Sequence, residues 1–156
     1  MFREMRRKKQ ELSREETLEI LKTSTSGVLA VSGDDGYPYT VPVSHAYQDG
    51  KLFFHCAIEG HKIDGILRND KVTFCVIAKD EVIPEKFATD YRSAVVFGRA
   101  RILTEDSERR AALECLVEKF SPGYLEEGQK EIERDWERVC VVEIQIEHMT
   151  GKSAKG

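Results

Sequence analysis

The chain has 156 residues, a length typical of one domain, so we expect a single domain spanning residues 1–156. Its 24 Lys+Arg against 28 Asp+Glu give a formal net charge of -4, which provides no overall attraction to nucleic acid or to an anionic membrane surface. The short chain, with no G-x-G-x-x-G after a predicted strand, also argues against a two-domain nicotinamide dehydrogenase.

The N-terminal segment, Met1–Lys9, is basic but lacks the apolar stretch and cleavage site of a secretory signal. No apolar run elsewhere approaches the ~18–20 residues of a membrane span. The cysteines form no C-x-x-C pair and lie in apolar segments, which indicates reduced, buried thiols. We therefore expect a cytoplasmic protein whose basic arm is either solvated or packed on a neighbouring subunit.

The first predicted element is an N-terminal helix over about residues 14–24, opened by a capping box in which Ser13 and Glu16 bond each other's backbone. Three strands in hairpin succession follow, separated by turns that end in Asp-Gly. They cover Val28 to Val31, Tyr39 to Tyr47 and Leu52 to Ala57. Pro42 has no N–H to give to a central sheet ladder, so we expect a bulge or a ligand beside it.

The rest of the chain predicts a short helix after Gly60, two further strands, a helical insertion over about residues 105–136 and a closing strand. The two strands cover about residues 72–77 and 92–103, with residues 81–90 between them expected to be mainly loop. In the closing strand, Cys140, Val142, Ile144 and Ile146 are expected inside and Glu143, Gln145 and Glu147 outside. Six hairpin-linked strands predict a mainly β protein, a small antiparallel barrel with peripheral helices.

The segment Phe53–Lys62 carries the clearest chemical signal. A strand leads to Gly60, where a helix begins with Lys62 in its first turn. Free N–H groups at a helix start and a nearby ammonium suit a phosphate, and glycine lets the backbone approach it closely. An ordinary helix cap with a surface lysine has the same sequence features, so both interpretations remain open.

The histidines predict neither a metal ligand nor a catalytic residue. His55 and His61, with Cys56 between them, match no common zinc spacing. No G-x-S-x-G occurs, and Cys56 points to the opposite strand face from His55. His45 is expected to be a barrel-strand residue and His148 an exposed residue at the end of a strand.

Several segments, spread in order over nearly the whole chain, resemble flavin-binding proteins related to pyridoxamine-phosphate oxidase. Within that superfamily the similarity is to the nitroimidazole-resistance, or Nim-type, group. The segments are Met1–Lys8, Gly33–Ser44, Phe54–Ala57, Gly60–Lys62, Val82–Phe87, Tyr91–Ala100 and Met149–Lys152.

The resemblance implies a split β-barrel homodimer with FMN at the subunit interface. The cofactor-binding residues that it implies are Val41, Pro42, Val43, Ser44, His55, Cys56, His61, Lys62, Arg92 and Ser93. By position, the first four would line the isoalloxazine, and the two histidines with Lys62 would reach the phosphate. Arg92 and Ser93 would contact the flavin or the partner chain.

The resemblance also implies a reaction: an FMN-dependent reductase would pass electrons from reduced flavin to a nitro-aromatic, such as a 5-nitroimidazole, or to a similar small acceptor. A nicotinamide or other donor would bind at the same face in turn. The closing strand Val141–His148 lacks the arginines with which pyridoxamine-phosphate oxidases grip their substrate, so a vitamin B6 substrate is not expected. The alternatives are a flavin- or haem-binding protein without turnover and an oxidase-like enzyme with a different substrate.

Overall fold

A computed structural model describes residues 1–155 of the chain as an antiparallel sheet with helices around it. The strands are β1 Ser26–Ser32, β2 Pro38–Ser44, β3 Ala46–Gln48, β4 Lys51–Ala57, β5 Lys71–Ile83, β6 Ala88–Ile102 and β7 Val139–Ala154. The helices are α1 Arg14–Thr23, α2 His61–Arg68, α3 Asp106–Phe120 and α4 Leu125–Asp135. Within the described residues, no helix is long and apolar enough to cross a membrane.

The strand order is β2-β1-β5-β6-β7-β4-β3. The two edge strands, β2 and β3, are consecutive in the chain, so the two ends of the curled sheet meet at one corner without a ladder of hydrogen bonds between them. The predicted mainly β, antiparallel split barrel with peripheral helices is confirmed. It has seven strands instead of six because the strand predicted over residues 39–47 is divided at His45.

His45 forms this corner and is fully buried. Its ring Nε2 lies 2.9 Å from the carbonyl oxygen of Leu21 at the end of α1, and its ring meets Phe74 edge-on. The Lys119 ammonium of α3 donates to the carbonyl of His45 at 2.7 Å and also to the carbonyl of Ser24. Helices on two sides of the sheet therefore hold the bend, which separates β2 from β3.

Two apolar clusters lie on opposite faces of the sheet. The main core fills the interior of the curled sheet and includes Leu29, Phe54, Phe74 and Val96. The second core lies between the sheet and helices α3 and α4, and it includes Phe53, Leu113, Leu116, Ile132 and Val141. Strands β4 and β7 are therefore covered on both faces where these helices pack.

The sequence predicts that Glu143 faces outward into solvent. This is wrong, because both faces of β7 are covered here and Glu143 is only 4% exposed. Its carboxylate accepts a hydrogen bond from Arg101 Nε at 2.8 Å and lies 3.4 Å from the Lys51 ammonium. Glu143 is on the face away from the main core, as alternation predicts, but α3 covers that face. The two cations compensate for the buried charge.

The loop predicted over residues 81–90 is a hairpin in the structure. β5 continues to Ile83, β6 begins at Ala88, and only Pro84–Lys86 at the tip forms a short 3₁₀ turn. Val82 pairs with Thr89 and Asp80 with Tyr91 in one continuous ladder. The sequence pattern is weak here because neither face of this extension enters the core. Backbone pairing and an ion pair between Lys79 and Asp90 join its two strands.

The predicted capping box is present at α1. Ser13 Oγ accepts from the Glu16 N–H at 3.1 Å, and the Glu16 carboxylate accepts from the Ser13 N–H at 3.2 Å. The prediction that His148 is exposed is wrong, because Phe2 stacks on its ring at 4.9 Å with planes 3° apart. The N-terminal arm thus packs on its own chain through Phe2.

Candidate functional site

The beginning of α2 presents an uncapped helix terminus. Gly60 precedes the helix at φ 148°, a backbone conformation that side chains rarely allow, and no side chain caps the terminus. The first bond of the helix runs from Asp64 N–H to the Gly60 carbonyl at 3.0 Å, so the N–H groups of residues 61–63 have no partner within the helix. This is the arrangement that suits an anion.

The position of α2 is fixed by close approach to β1. A Cβ on Gly65 would lie 2.6 Å from a methyl carbon of Val31 and 2.9 Å from the carbonyl oxygen of Ser32, so only glycine allows this contact. Arg68, in the last turn, donates to the Ser32 carbonyl at 2.9 Å and to Asp34 Oδ1 at 3.0 Å. The helix start is therefore presented on a fixed scaffold.

His61 lies at this helix start with an unsatisfied ring nitrogen. Its ring stacks on Tyr39 of β2 with centroids 3.9 Å apart. Nε2 is buried and has no hydrogen-bond partner, since the nearest carboxylate oxygen, Oδ2 of Asp34, is 3.8 Å away. A buried polar nitrogen without a partner is costly, and a ligand oxygen or a water there would satisfy it.

Lys62 is the cation nearest to the free N–H groups. It is half-buried, and across residues 1–155 its ammonium has no hydrogen bond or ion pair with a carboxylate. The pKa of Cys56 is raised by the Cys140 side chain and by burial, and the Lys62 charge opposes that rise; the same charge contributes to the lowered pKa of Cys140. The site therefore combines open N–H groups, an unpaired ring nitrogen and an uncommitted positive charge.

A pocket of about 840 Å³ lies beside the end of β4. Its sheet side is formed by Ser44, His55, Cys56 and Ala57, so three residues named from sequence line it together. Its other wall is formed by α3 and α4, and includes Leu113, Leu116, Val117, Phe120 and Ile132. The volume and the mixture of apolar wall and polar edge are typical of small-molecule sites.

The remaining β2 residues lie on the free edge of the sheet. Val41 and Val43 are half-buried towards the core, whereas Pro42 and Ser44 are exposed on the other face. The register with β1 is continuous from Ser26↔Ser44 to Ser32↔Pro38, so there is no bulge at Pro42. The bulge expected at Pro42 is therefore absent, and the missing N–H is tolerated because β2 is an edge strand.

Arg92 and Ser93 do not line the pocket of the same chain. Pro42 pairs with Val28, Val28 with Cys75, and Cys75 with Val95, which places this part of β6 three strands away, or about 14 Å, from β2. Arg92 instead lies 3.9 Å from the carboxylate of Glu16 on α1. Within one chain, Ser44, His55 and Cys56 share the pocket, whereas His61 and Lys62 lie outside its lining and His61 contacts β2 through Tyr39. The β6 pair lies apart from both.

Sequence reasoning missed two features of the site. Tyr39 and Asp34 surround His61, and their positions in a strand and a turn gave no sign of this contact. The helical wall of the pocket comes from far along the chain, so no local pattern could have indicated it. Among residues 1–155, no three His, Cys, Asp or Glu side chains lie close enough to hold a metal ion.

Comparison with known proteins relates the chain to one family. The family model described as pyridoxamine 5'-phosphate oxidase matches residues 13–153. A comparison with curated proteins finds no match.

Solved structures with the same fold include an antibiotic resistance protein and two proteins that bind FAD. A putative 5-nitroimidazole antibiotic resistance protein from Bacteroides thetaiotaomicron superposes with a TM-score of 0.72 at 20% identity, over 91% of this chain and 85% of that one. A FAD-binding protein from Mesorhizobium loti has a TM-score of 0.66 at 27% identity, over 94% and 98% of the two chains. A FAD and heme binding protein from Mycobacterium smegmatis has a TM-score of 0.78 at 23% identity, over 96% and 75%.

Proposed function

This chain belongs to the pyridoxamine 5'-phosphate oxidase family, and on that premise we propose that it is an FMN-binding oxidoreductase acting on nitro-aromatic or similar electron-poor small acceptors. The observation that carries the proposal is the start of α2, where uncapped N–H groups, the unpaired Nε2 of His61 and the uncommitted ammonium of Lys62 lie together. These donors match the acceptor oxygens of a phosphate monoester. The resemblance to proteins of the nitroimidazole-resistance group suggests the acceptor.

With the phosphate at α2, the ring system of the flavin would extend towards Ser44 and His55, which line the pocket beside β4. Ser44 belongs to the exposed face of β2, which also carries Pro42. Bound flavin supplies the electron-transfer chemistry, and the protein supplies binding, orientation and exclusion of water. The apolar residues of α3 and α4 would shield the ring from solvent.

We propose that the working unit is a homodimer. The hairpin of β5 and β6 extends beyond the core and exposes Val82 and Phe87 to 66% and 98%, an apolar surface that a second copy could cover. Arg92 and Ser93, too distant from the pocket of their own chain, lie at the base of this hairpin, where they could reach a flavin held by the partner.

Light scattering is therefore expected to give twice the mass of one chain, and Phe87→Asp to shift the protein towards monomer with weaker FMN binding. Phe87 is at the hairpin tip and outside both apolar cores, so the variant should still fold. A wild-type monomer that binds FMN tightly would overturn the dimer proposal.

The proposed cofactor is tested by spectroscopy and titration. Purified protein, or protein reconstituted with FMN, is expected to be yellow, and FMN should bind at least tenfold more tightly than riboflavin, which lacks the phosphate. Titration with FAD is the third arm, because it distinguishes a preference for the larger flavin. Equal affinities for FMN and riboflavin would contradict a phosphate site at α2, and absence of all flavin binding would overturn the function.

The proposed reaction is tested under anaerobic conditions with a chemical or nicotinamide donor and a 5-nitroimidazole. Loss of the nitro absorbance is expected only when protein, flavin and donor are all present. Pyridoxamine phosphate should not be oxidised, since β7 lacks an arginine cluster. Tight flavin binding without reduction of any nitro compound would reject the reductase and favour a carrier.

A further inference from the structure

Two of the four cysteines face each other across neighbouring strands. Cys56 of β4 is the direct partner of Cys140 of β7 in the antiparallel ladder. Directly opposed residues in such a ladder have Cα atoms about 4.5 or 5.5 Å apart, and both separations lie in the range that a disulfide requires. The interaction between the two side chains is also the largest influence on the pKa of each thiol.

The other two cysteines have no such neighbour. Cys75 of β5 is opposite Val28 on one side and Val95 on the other. Cys115 lies on α3. All four cysteines are free thiols in the structure. The Cys56–Cys140 pair therefore differs from the other two in its position across the strand ladder and not in its oxidation state.

Small solutes can reach the pair from two hollows. Cys56 is half-buried and lines the 840 Å³ pocket beside β4. Cys140 is 7% exposed and lines a second hollow of about 410 Å³, together with Ile58, Ile63 and Arg109. Hydrogen peroxide is close to water in size, so either hollow admits it.

The surroundings also favour the reactive form of one thiol. The hydrogen bond from Cys56, with the positive charges of Arg109 and Lys62, lowers the pKa of Cys140 to about 7. The same hydrogen bond and burial raise the pKa of Cys56, which therefore keeps its proton. A neutral thiol beside a thiolate is the arrangement that lets one sulfur attack an oxidant and the other resolve the product.

We propose that Cys56 and Cys140 form a dithiol site that hydrogen peroxide oxidises to a disulfide between β4 and β7. The Cys140 thiolate attacks one peroxide oxygen, the O–O bond breaks, and hydroxide leaves and takes up a proton from solvent as water. The sulfur of Cys56 then attacks the resulting sulfenic sulfur, forming the S–S bond and breaking the S–O bond. The hydroxide leaves with the Cys56 proton as a second water, so two thiols lose two electrons and peroxide gains them.

The disulfide would join two strands that are roughly eighty residues apart in the chain, so it would constrain the unfolded state strongly. Cys56 lies four residues before Gly60, and the bond would also tie the segment leading into α2 to β7. Thermal stability is therefore the direct physical readout of its formation, and no bound cofactor is needed to observe it.

The experiment treats the reduced, cofactor-free full chain with hydrogen peroxide, alkylates the remaining thiols and maps the peptides by mass spectrometry. We expect a loss of about 2 Da, two unalkylated cysteines identified as Cys56 and Cys140, and reversal by dithiothreitol. The melting temperature should rise by about 5 °C or more on oxidation. The Cys75→Ser/Cys115→Ser double variant is the matched control and should behave as the wild type does.

Cys56→Ser should leave a sulfenic acid on Cys140 that dimedone traps, and no intramolecular disulfide. Peptide mapping of the wild type decides the proposal even if a serine variant fails to fold. Equal alkylation of all four thiols after peroxide, a disulfide that includes Cys75 or Cys115, or over-oxidation of Cys140 without a disulfide would each overturn it.

Discussion

Replacing Lys62 with alanine is expected to weaken FMN binding about 5- to 150-fold, which corresponds to ~1–3 kcal/mol for a charge-assisted hydrogen bond. Lys62 is a half-buried residue in the first turn of the uncapped helix, and its ammonium has no carboxylate partner in the described chain. Its loss should therefore remove attraction for a phosphate without breaking an internal ion pair. The fold should be unaffected, and isothermal titration or flavin fluorescence measures the affinity.

Riboflavin provides the control ligand for this substitution. If Lys62 contacts the phosphate, Lys62→Ala should weaken FMN but leave the affinity for riboflavin unchanged. Lys62→Arg keeps the charge and should retain most of the affinity. Lys71→Ala is the matched control variant, because Lys71 is an exposed lysine beyond the other end of α2, a helix about 12 Å long. Equal loss with FMN and riboflavin, or none with FMN, would place the phosphate elsewhere.

The second large expected effect is a loss of folding stability on mild acidification that depends on His45. Burial, followed by the nearby Lys119 ammonium, lowers the pKa of His45 from 6.5 to about 4, while the Leu21 carbonyl opposes the shift. Because its pKa is about 4, the ring is neutral at pH 7, with the Leu21 carbonyl accepting from Nε2–H and the other nitrogen buried without a partner. The folded state therefore favours the uncharged ring.

The sign of the pH dependence follows from proton uptake. Between pH 6.5 and about 4, His45 binds a proton in the unfolded chain but not in the folded one, so the free energy of unfolding falls as the pH falls. The contribution is complete above pH 6.5 and is lost by about pH 4. Its size is on the order of 3 kcal/mol.

His45→Gln is the matched control, since an amide can still donate to the Leu21 carbonyl but does not titrate in this range. Urea unfolding of both proteins at several pH values measures the difference. The wild type should lose more stability than the variant between pH 6.5 and 4, and the two curves should be parallel above pH 7. Parallel curves over the whole range would show that His45 is not buried as a neutral ring.

Much of the fold was predictable because its signals are local. The capping box at Ser13 and Glu16, the Asp-Gly turns and the apolar strands indicate elements that the structure confirms. The missing N–H of Pro42 predicted a gap in the hydrogen bonds of its strand, and that strand, β2, lies at the edge of the sheet. The phosphate interpretation of Gly60 and Lys62 also depends on a short segment, since a helix start carries its free N–H groups wherever it is placed.

Errors arose where a second element decides the outcome. Periodicity predicted Glu143 on the outer face of β7 and could not show that α3 covers that face. The hairpin beyond residue 80 carries no apolar alternation, because strand pairing and not burial holds it. His148 lies under Phe2, a contact between opposite ends of the chain that no local pattern contains.

The sequence by itself therefore determined most of the elements and the chemistry available at the start of α2, because these depend on neighbouring residues. Only the tertiary structure decided which of them share a site. Sheet register places Cys56 opposite Cys140, the bend at His45 brings Ser44 to the same pocket as His55, and packing sets Tyr39 against His61. Such contacts join residues that are distant in the chain, and the free energy that fixes them comes from burial and pairing across the whole sheet.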